Sequence, residues 1–418
     1  MSTSSHILTQ ARGDDRIMEQ TNNPGDASRR GLPKEEVGWR RIVRNFTSSW
    51  FSVNMGTGIV SILIHGLPYT TNWLSYVSYI FFALNVVLFV TFLVLTTLRY
   101  SLYPEIWFAM IRHPAQSLFL GCIPMALATI INMIVLSCKS WGTWTIYLAW
   151  ALWWLDVTLS LATCLIMPFV VMRHHNPQLQ QTNATLLLPV VPAVVAAASG
   201  GIVAEALPSI DHAVATLIVS YLLWGLGGSF SLLILAMYFQ RLNLHSVPPK
   251  EAIVSMFLPV GPLGQGGFGI QQLGKVALKV LPKSQVLGPL AQDSFRGVEI
   301  LYVLGVFAAL IMWGFAVGWL AFAIISIATT PRFPFNMGWW GFTFPLGVFT
   351  TCTSSLGENL SSPAFKILTM IFSCSVFALW LLVAVRTLRL ALTGEMFFAP
   401  CLGDIRPKTS QADGDRTA

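Results

Sequence analysis

Charge is scarce in this 418-residue chain: Asp, Glu, Lys and Arg together make up 10% of it, against about 25% in a soluble globular protein. With 54% hydrophobic residues and a mean hydropathy of +0.65, that deficit excludes a water-soluble globule and indicates a polytopic membrane protein. Cysteine is sparse too. The six, Cys122, Cys138, Cys164, Cys352, Cys374 and Cys401, form no CxxC pair and no Cys/His metal spacing, which argues against a disulfide framework and a metal site. No cofactor is expected, because the glycine run GxxGxGGFG from Gly261 lacks the Lys-Ser/Thr of a phosphate-binding loop and lies inside an apolar segment. His65, His174 and His175 have no Ser, Cys or acid partners in a catalytic pattern, so the chain is not expected to be an enzyme. The net charge of +7 sits beside apolar segments and in the tails, not in one stripe with interleaved aromatics, which excludes nucleic acid as a partner.

What the chain has is apolar length. Ten apolar segments occur at about 45–66, 76–98, 116–137, 143–171, 185–206, 213–240, 253–273, 298–328, 338–356 and 365–390, each near the ~20 residues that cross a bilayer as a helix. They define a transmembrane transporter domain over 44–392, between a polar, disordered tail at 1–43 and a polar tail at 393–418. Lys and Arg set the orientation: Arg40, Arg41, Arg44, Arg99, Arg112, Arg173, Arg241, Lys250, Arg332, Arg386 and Arg389 all fall on one side, which places both termini in the cytoplasm. The loop 274–297, with Lys275, Lys279, Lys283 and Arg296, runs against that pattern.

Segment 257–274, FLPVGPLGQGGFGIQQLG, holds six glycines and two prolines. In hydrocarbon, irregular backbone survives only against protein or a water-filled cavity, so this segment is expected to line a pore. Helix breakers and small polar residues also gather in the other odd segments, among them Gly56, Gly58, Pro124, Pro192, Gly200 and Pro345. The economical arrangement is five helical hairpins, with odd helices around a conduit and even helices against lipid. Prolines are expected to kink the inner helices.

Six stretches in order, NFTSSWFSVNMGTGIVS (45–61), IPMALATIIN (123–132), WWLD (153–156), PVVPAVVAAASGG (189–201), PVGPLGQGGFGI (259–270) and WWGFTFPLG (339–347), resemble the tellurite-resistance/dicarboxylate transporter family. Within it they are most similar to the fungal sulfite efflux pumps; plant slow anion channels and fungal malate permeases are other branches. The resemblance covers about residues 40–392. It implies an all-α fold of ten transmembrane helices as five hairpins in a pseudo-five-fold ring, odd helices lining a central pore, and a homo-oligomer, dimer or trimer, with one pore per protomer. It further implies plasma-membrane export of sulfite or bisulfite, with a C4-dicarboxylate (malate) carrier or a gated anion channel as alternatives. The channel branch has a phenylalanine plugging the pore; the matching position is Phe344, with Phe342 as competitor.

With no membrane-embedded Lys or Arg evident, the anion would be held by neutral donors and by backbone N–H groups freed at helix breaks at Pro259–Gly269, Pro345–Gly347 and Gly56–Gly58. The expected pathway residues are Ser52, Asn54, Gly56, Thr57, Ser199, Gly200, Gly264, Gln265, Gly266, Thr343 and Thr350. Asp156 is the one acid well inside a span, for either proton coupling or helix packing.

Overall fold

The computed structural model describes residues 38–69, 71–175, 178–284 and 294–403; most of the two expected tails lies outside them. The described residues contain twelve α-helices and no strand, as hydrocarbon demands of a backbone that must bond to itself. They are α1 (Trp39–Asn45), α2 (Phe51–His65), α3 (Asn72–Leu102), α4 (Glu105–Arg112), α5 (Cys122–Cys138), α6 (Thr143–Val170), α7 (Val191–Ala206), α8 (Ile210–His245), α9 (Val260–Val280), α10 (Ser294–Thr329), α11 (Thr343–Asn359) and α12 (Pro363–Leu392).

Apart from α1 and α4, of 7 and 8 residues, the helices fall into two classes. α3, α6, α8, α10 and α12 have 28 to 36 residues; α2, α5, α7, α9 and α11 have 15 to 21. Among the described residues, seven helical stretches are long and apolar enough to cross a membrane: the five long helices, and α5 and α9 taken with their flanking turns. In the best apolar windows of the α5 and α9 stretches 78% and 89% of residues are buried, against 17% to 33% in the long helices. Long-helix side chains such as Val87, Leu222 and Ile311 stand exposed, an apolar surface suited to lipid.

All five short helices are entered through a tighter 3₁₀ segment: Ser48–Trp50, Ser117–Gly121, Ala184–Leu187, Lys250–Phe257 and Met337–Phe342. A 3₁₀ turn rises about 2.0 Å per residue against 1.5 Å in an α-helix, so these lead-ins lengthen the short helices, four of which, with 15 to 17 residues, are otherwise short of a bilayer. The prolines mark the join. Pro124, Pro262 and Pro345 are the third residues of α5, α9 and α11, and Pro192 is the second of α7. A first-turn N–H has no partner within the helix, so proline is tolerated there.

The expected breaks are absent: α2, α9 and α11 run uninterrupted through Gly56–Gly58, Val260–Gly269 and Pro345–Gly347. The glycines answer to packing instead. A Cβ on Gly264 would lie 2.6 Å from the Phe349 Cα, so α9 meets α11 nearly backbone to backbone, and one on Gly58 would lie 2.1 Å from the Thr129 Oγ1, so Gly58 makes room for a side chain of α5.

Each short helix packs against the long helix that follows it, in the pairs α2/α3, α5/α6, α7/α8, α9/α10 and α11/α12. The short helices also touch in the order α2, α5, α7, α9, α11, and α11 returns to α2. Both described ends of the chain meet at the start of α2. The Ala399 N–H donates to the Asn45 Oδ1 at 3.1 Å, Phe397 stacks on Trp50, and buried Arg99 donates to the Phe46 carbonyl at 2.6 Å and to the Cys401 Sγ at 3.6 Å. Residues 397–402, expected to belong to a tail, thus lie on the body of the protein.

Candidate functional site

The short helices enclose two cavities in line. The first, about 280 Å³, lies at their N-terminal ends and takes Met55, Met125, Val191, Pro262 and Phe344 from α2, α5, α7, α9 and α11. The second, about 240 Å³, lies at their C-terminal ends and takes Ile62, Asn132, Ile202, Gln265 and Thr351 from the same helices. No lining residue is shared. On α2 the boundary falls between Met55 and Ile59, and on α9 between Pro262 and Gln265, so one helical turn, about 5 Å, separates the cavities there.

Phe344, 4% exposed, lines the first cavity. Phe342 lines neither. Its ring packs edge-on against Phe257 and Trp339 at centroid distances of 4.9 and 5.6 Å. The two side chains, two positions apart on the turn into α11, point different ways.

Of the eleven expected pathway residues, two line a cavity: Ser52 the first and Gln265 the second. The others face neighbouring helices. Asn54 donates to the carbonyl and the Oδ1 of Asn85 at 3.0 and 3.1 Å, and Asn85 donates to the Thr129 Oγ1 at 2.9 Å, which ties α2, α3 and α5 together. Thr57 donates to the Val53 carbonyl and accepts from the Trp380 Nε1. Thr343 and Thr350 donate back to the carbonyls of Trp340 and Leu346, a bond within their own turn that leaves the hydroxyl little to offer an ion. Gly56 lies against Trp340 and Thr343, Gly200 against Ser220 and Trp153, Gly264 against Phe349, and Gly266 against Met312. Ser199 is fully buried and its Oγ has no hydrogen-bond partner among the described residues.

Asp156 is also fully buried, on α6, and lines neither cavity; neither carboxyl oxygen has a hydrogen-bond partner among the described residues. One turn earlier, Trp153 donates across to the Ala196 carbonyl on α7 at 2.8 Å.

The second cavity holds residues that the sequence reading assigned to a loop. α9 continues to Val280, so Lys275 and Lys279 are helical, and Lys275 lines the cavity with Glu205 and Gln272. The Glu205 carboxylate takes both lysines, Lys275 at 3.5 Å and Lys279 closer, and accepts from the Gln272 Nε2 at 2.7 Å. A cation therefore lines this cavity at Lys275, with its side chain 42% exposed and paired with Glu205. Its signal was present in the sequence: Gln265, Phe268, Gln272, Lys275 and Lys279 recur at steps of three and four, one helical face.

The voltage-dependent anion channel family matches residues 45–388 of the chain. Sulfite efflux pumps of Arthroderma otae and Trichophyton rubrum are each 49% identical to it over 356 residues, 85% of this chain and 93% of theirs. A malic acid transport protein of Schizosaccharomyces pombe is 24% identical over 362 residues, 85% of this chain and 81% of the relative.

Proposed function

Because the chain belongs to the voltage-dependent anion channel family, we propose that it exports sulfite or bisulfite across the plasma membrane, without ATP, through the space enclosed by its short helices. The identity of 49% with sulfite efflux pumps, over nearly their whole length, carries this reading. In this reading ten helices cross the membrane as five hairpins in a pseudo-five-fold ring, both termini are cytoplasmic, and the protein is a homo-oligomer of two or three protomers. The first cavity then opens to the cytosol and the second to the outside, with the Phe344 ring as the gate between them. Neighbouring cavities that share no lining residue suit such a gate, since a ring at a hydrophobic constriction blocks an ion by excluding its water.

The driving force is sufficient. With the cell interior negative, each exported negative charge gains about 2.3 kcal/mol per 100 mV, about a fifty-fold concentration ratio. At the second mouth the Gln272 amide and the Lys275 ammonium are already engaged by Glu205, so an ion is held loosely there, and loose holding favours release.

Carriage of a C4-dicarboxylate is the second reading. The relative named as a malic acid transport protein and a cation at Lys275 speak for it; the pairing of that cation with Glu205 speaks against it. Proteoliposomes clamped at a fixed potential and offered sulfite, malate, nitrate or chloride separate the two. Sulfite flux is expected; malate flux without sulfite flux would overturn the export reading.

A further inference from the structure

The two cavities offer an anion very different surroundings. Among the described residues, the exposed Glu251 is the one charged residue lining the first, and of the uncharged polar side chains there the Ser255 hydroxyl is without a hydrogen-bond partner while the others are engaged. Ser52 donates to the Ser49 carbonyl at 2.6 Å, Thr185 bonds to Asn183, and the Asn336 amide donates to the Glu251 carbonyl at 2.9 Å and accepts from the Gly338 N–H at 2.8 Å. Met55, Met125, Leu187, Val191, Trp340 and Phe344 complete most of the wall. An ion entering here gives up hydration and meets few free donors and one carboxylate. The cost of desolvating an ion rises with the square of its charge, and repulsion by Glu251 doubles when that charge doubles.

From this asymmetry, and resting on the export reading above, we propose that the species taken from the cytosol is the bisulfite monoanion, and that the sulfite dianion is held back at the first cavity. A malate dianion is held back for the same reason. The second charge would double the gain from the membrane potential, but that gain belongs to the overall gradient, whereas the first cavity sets the barrier to entry. Beyond Phe344 the ion reaches the amides of Gln265, Gln272 and Asn132 and the Lys275 ammonium. Bisulfite carries its proton through, so each turnover moves one negative charge and one sulfur, and no side chain has to accept or return a proton.

The test is efflux from proteoliposomes loaded with a fixed total of sulfite, at pH values on either side of the ionisation of bisulfite, with current and sulfur flux measured together. pH also acts on the protein, through Glu251 in the first cavity and through His65, Glu205, Lys275 and Glu358 in the second. Nitrate, whose charge does not change with pH, therefore serves as reference in the same vesicles. The expected result is a sulfite-to-nitrate flux ratio that falls with the bisulfite fraction as pH rises, and one charge per sulfur, a measure independent of the reference. A ratio that rises with pH, or two charges per sulfur, overturns the proposal while leaving export intact. Glu251→Gln is expected to raise the ratio several-fold on the alkaline side and less on the acid side; an equal change at both overturns the role of charge at this cavity. No sulfite flux at any pH removes the export reading, and this proposal with it.

Discussion

Phe344 and Phe342 illustrate how much a side chain's direction decides. Phe344 borders the first cavity, whereas Phe342 fills the wall between Phe257 and Trp339. Phe344→Ala is accordingly expected to raise anion flux and single-channel conductance several-fold, with a loss of stability as well, because the ring is buried in the core beside the cavity. Phe342→Ala is expected to leave conductance alone and to lower the melting temperature in detergent, as deletion of a packed Phe costs about 3–5 kcal/mol. Gly264→Ala forces a methyl group to within 2.6 Å of the Phe349 Cα. Overpacking of this kind costs about 1–3 kcal/mol, so a less stable protein with altered spacing of α9 and α11 is expected, read by thermal unfolding. Asp156 touches neither cavity, so Asp156→Asn, which preserves shape, is expected to export sulfite at an unchanged rate across pH. Loss of the pH dependence in that variant would instead make Asp156 a proton carrier.

At the scale of elements, the short helices are built from a 3₁₀ lead-in, a proline or small residue at the join, and a continuous α-helix. Proline-glycine content was legible in the sequence, but its meaning was not: the same residues that suggest a broken span also suit a first turn and a close helix contact. Pro345 belongs to the first case and Gly264 to the second. The lead-in of α2 is held from outside the helix. Arg99 on α3 bonds to the Phe46 carbonyl just before it and reaches Cys401 on the returning chain. Arg99→Gln is expected to leave that carbonyl unpaired, a loss of about 1–3 kcal/mol. Faster reaction of Cys401 with a thiol reagent, measured beside buried Cys122 as control, would report the loosened segment; equal rates would show that Arg99 does not hold it.

For the whole molecule, the apolar outer surface and the closed order of contacts among the short helices suit a bundle with lipid outside and a passage within. Orientation is the property most open to direct measurement. In a Cys374→Ser background, chosen because Cys374 is the exposed cysteine among the described residues, Lys275→Cys is expected to react with an impermeant thiol reagent added outside intact cells. Ser52→Cys is expected to react only when the reagent reaches the cytoplasmic face. The reverse pattern would invert the proposed topology and the direction of the conduit.

Composition and hydropathy were enough to establish a multi-pass helical membrane protein, to mark ten apolar segments and to separate those rich in small residues from those rich in Phe, Leu and Val. These are properties of a segment against its solvent, and a string of residues records them locally. Which way Asn54, Thr57 or Gly266 points depends on a helix distant in sequence, Asn85 on α3, Trp380 on α12 or Met312 on α10, and a small residue reads the same whether it makes room for an ion or for a neighbouring backbone. The two cavities, the single acid in the first and the Glu205–Lys275–Lys279 cluster in the second therefore emerged only from tertiary structure, because each is assembled from segments that approach one another only after the helices pack.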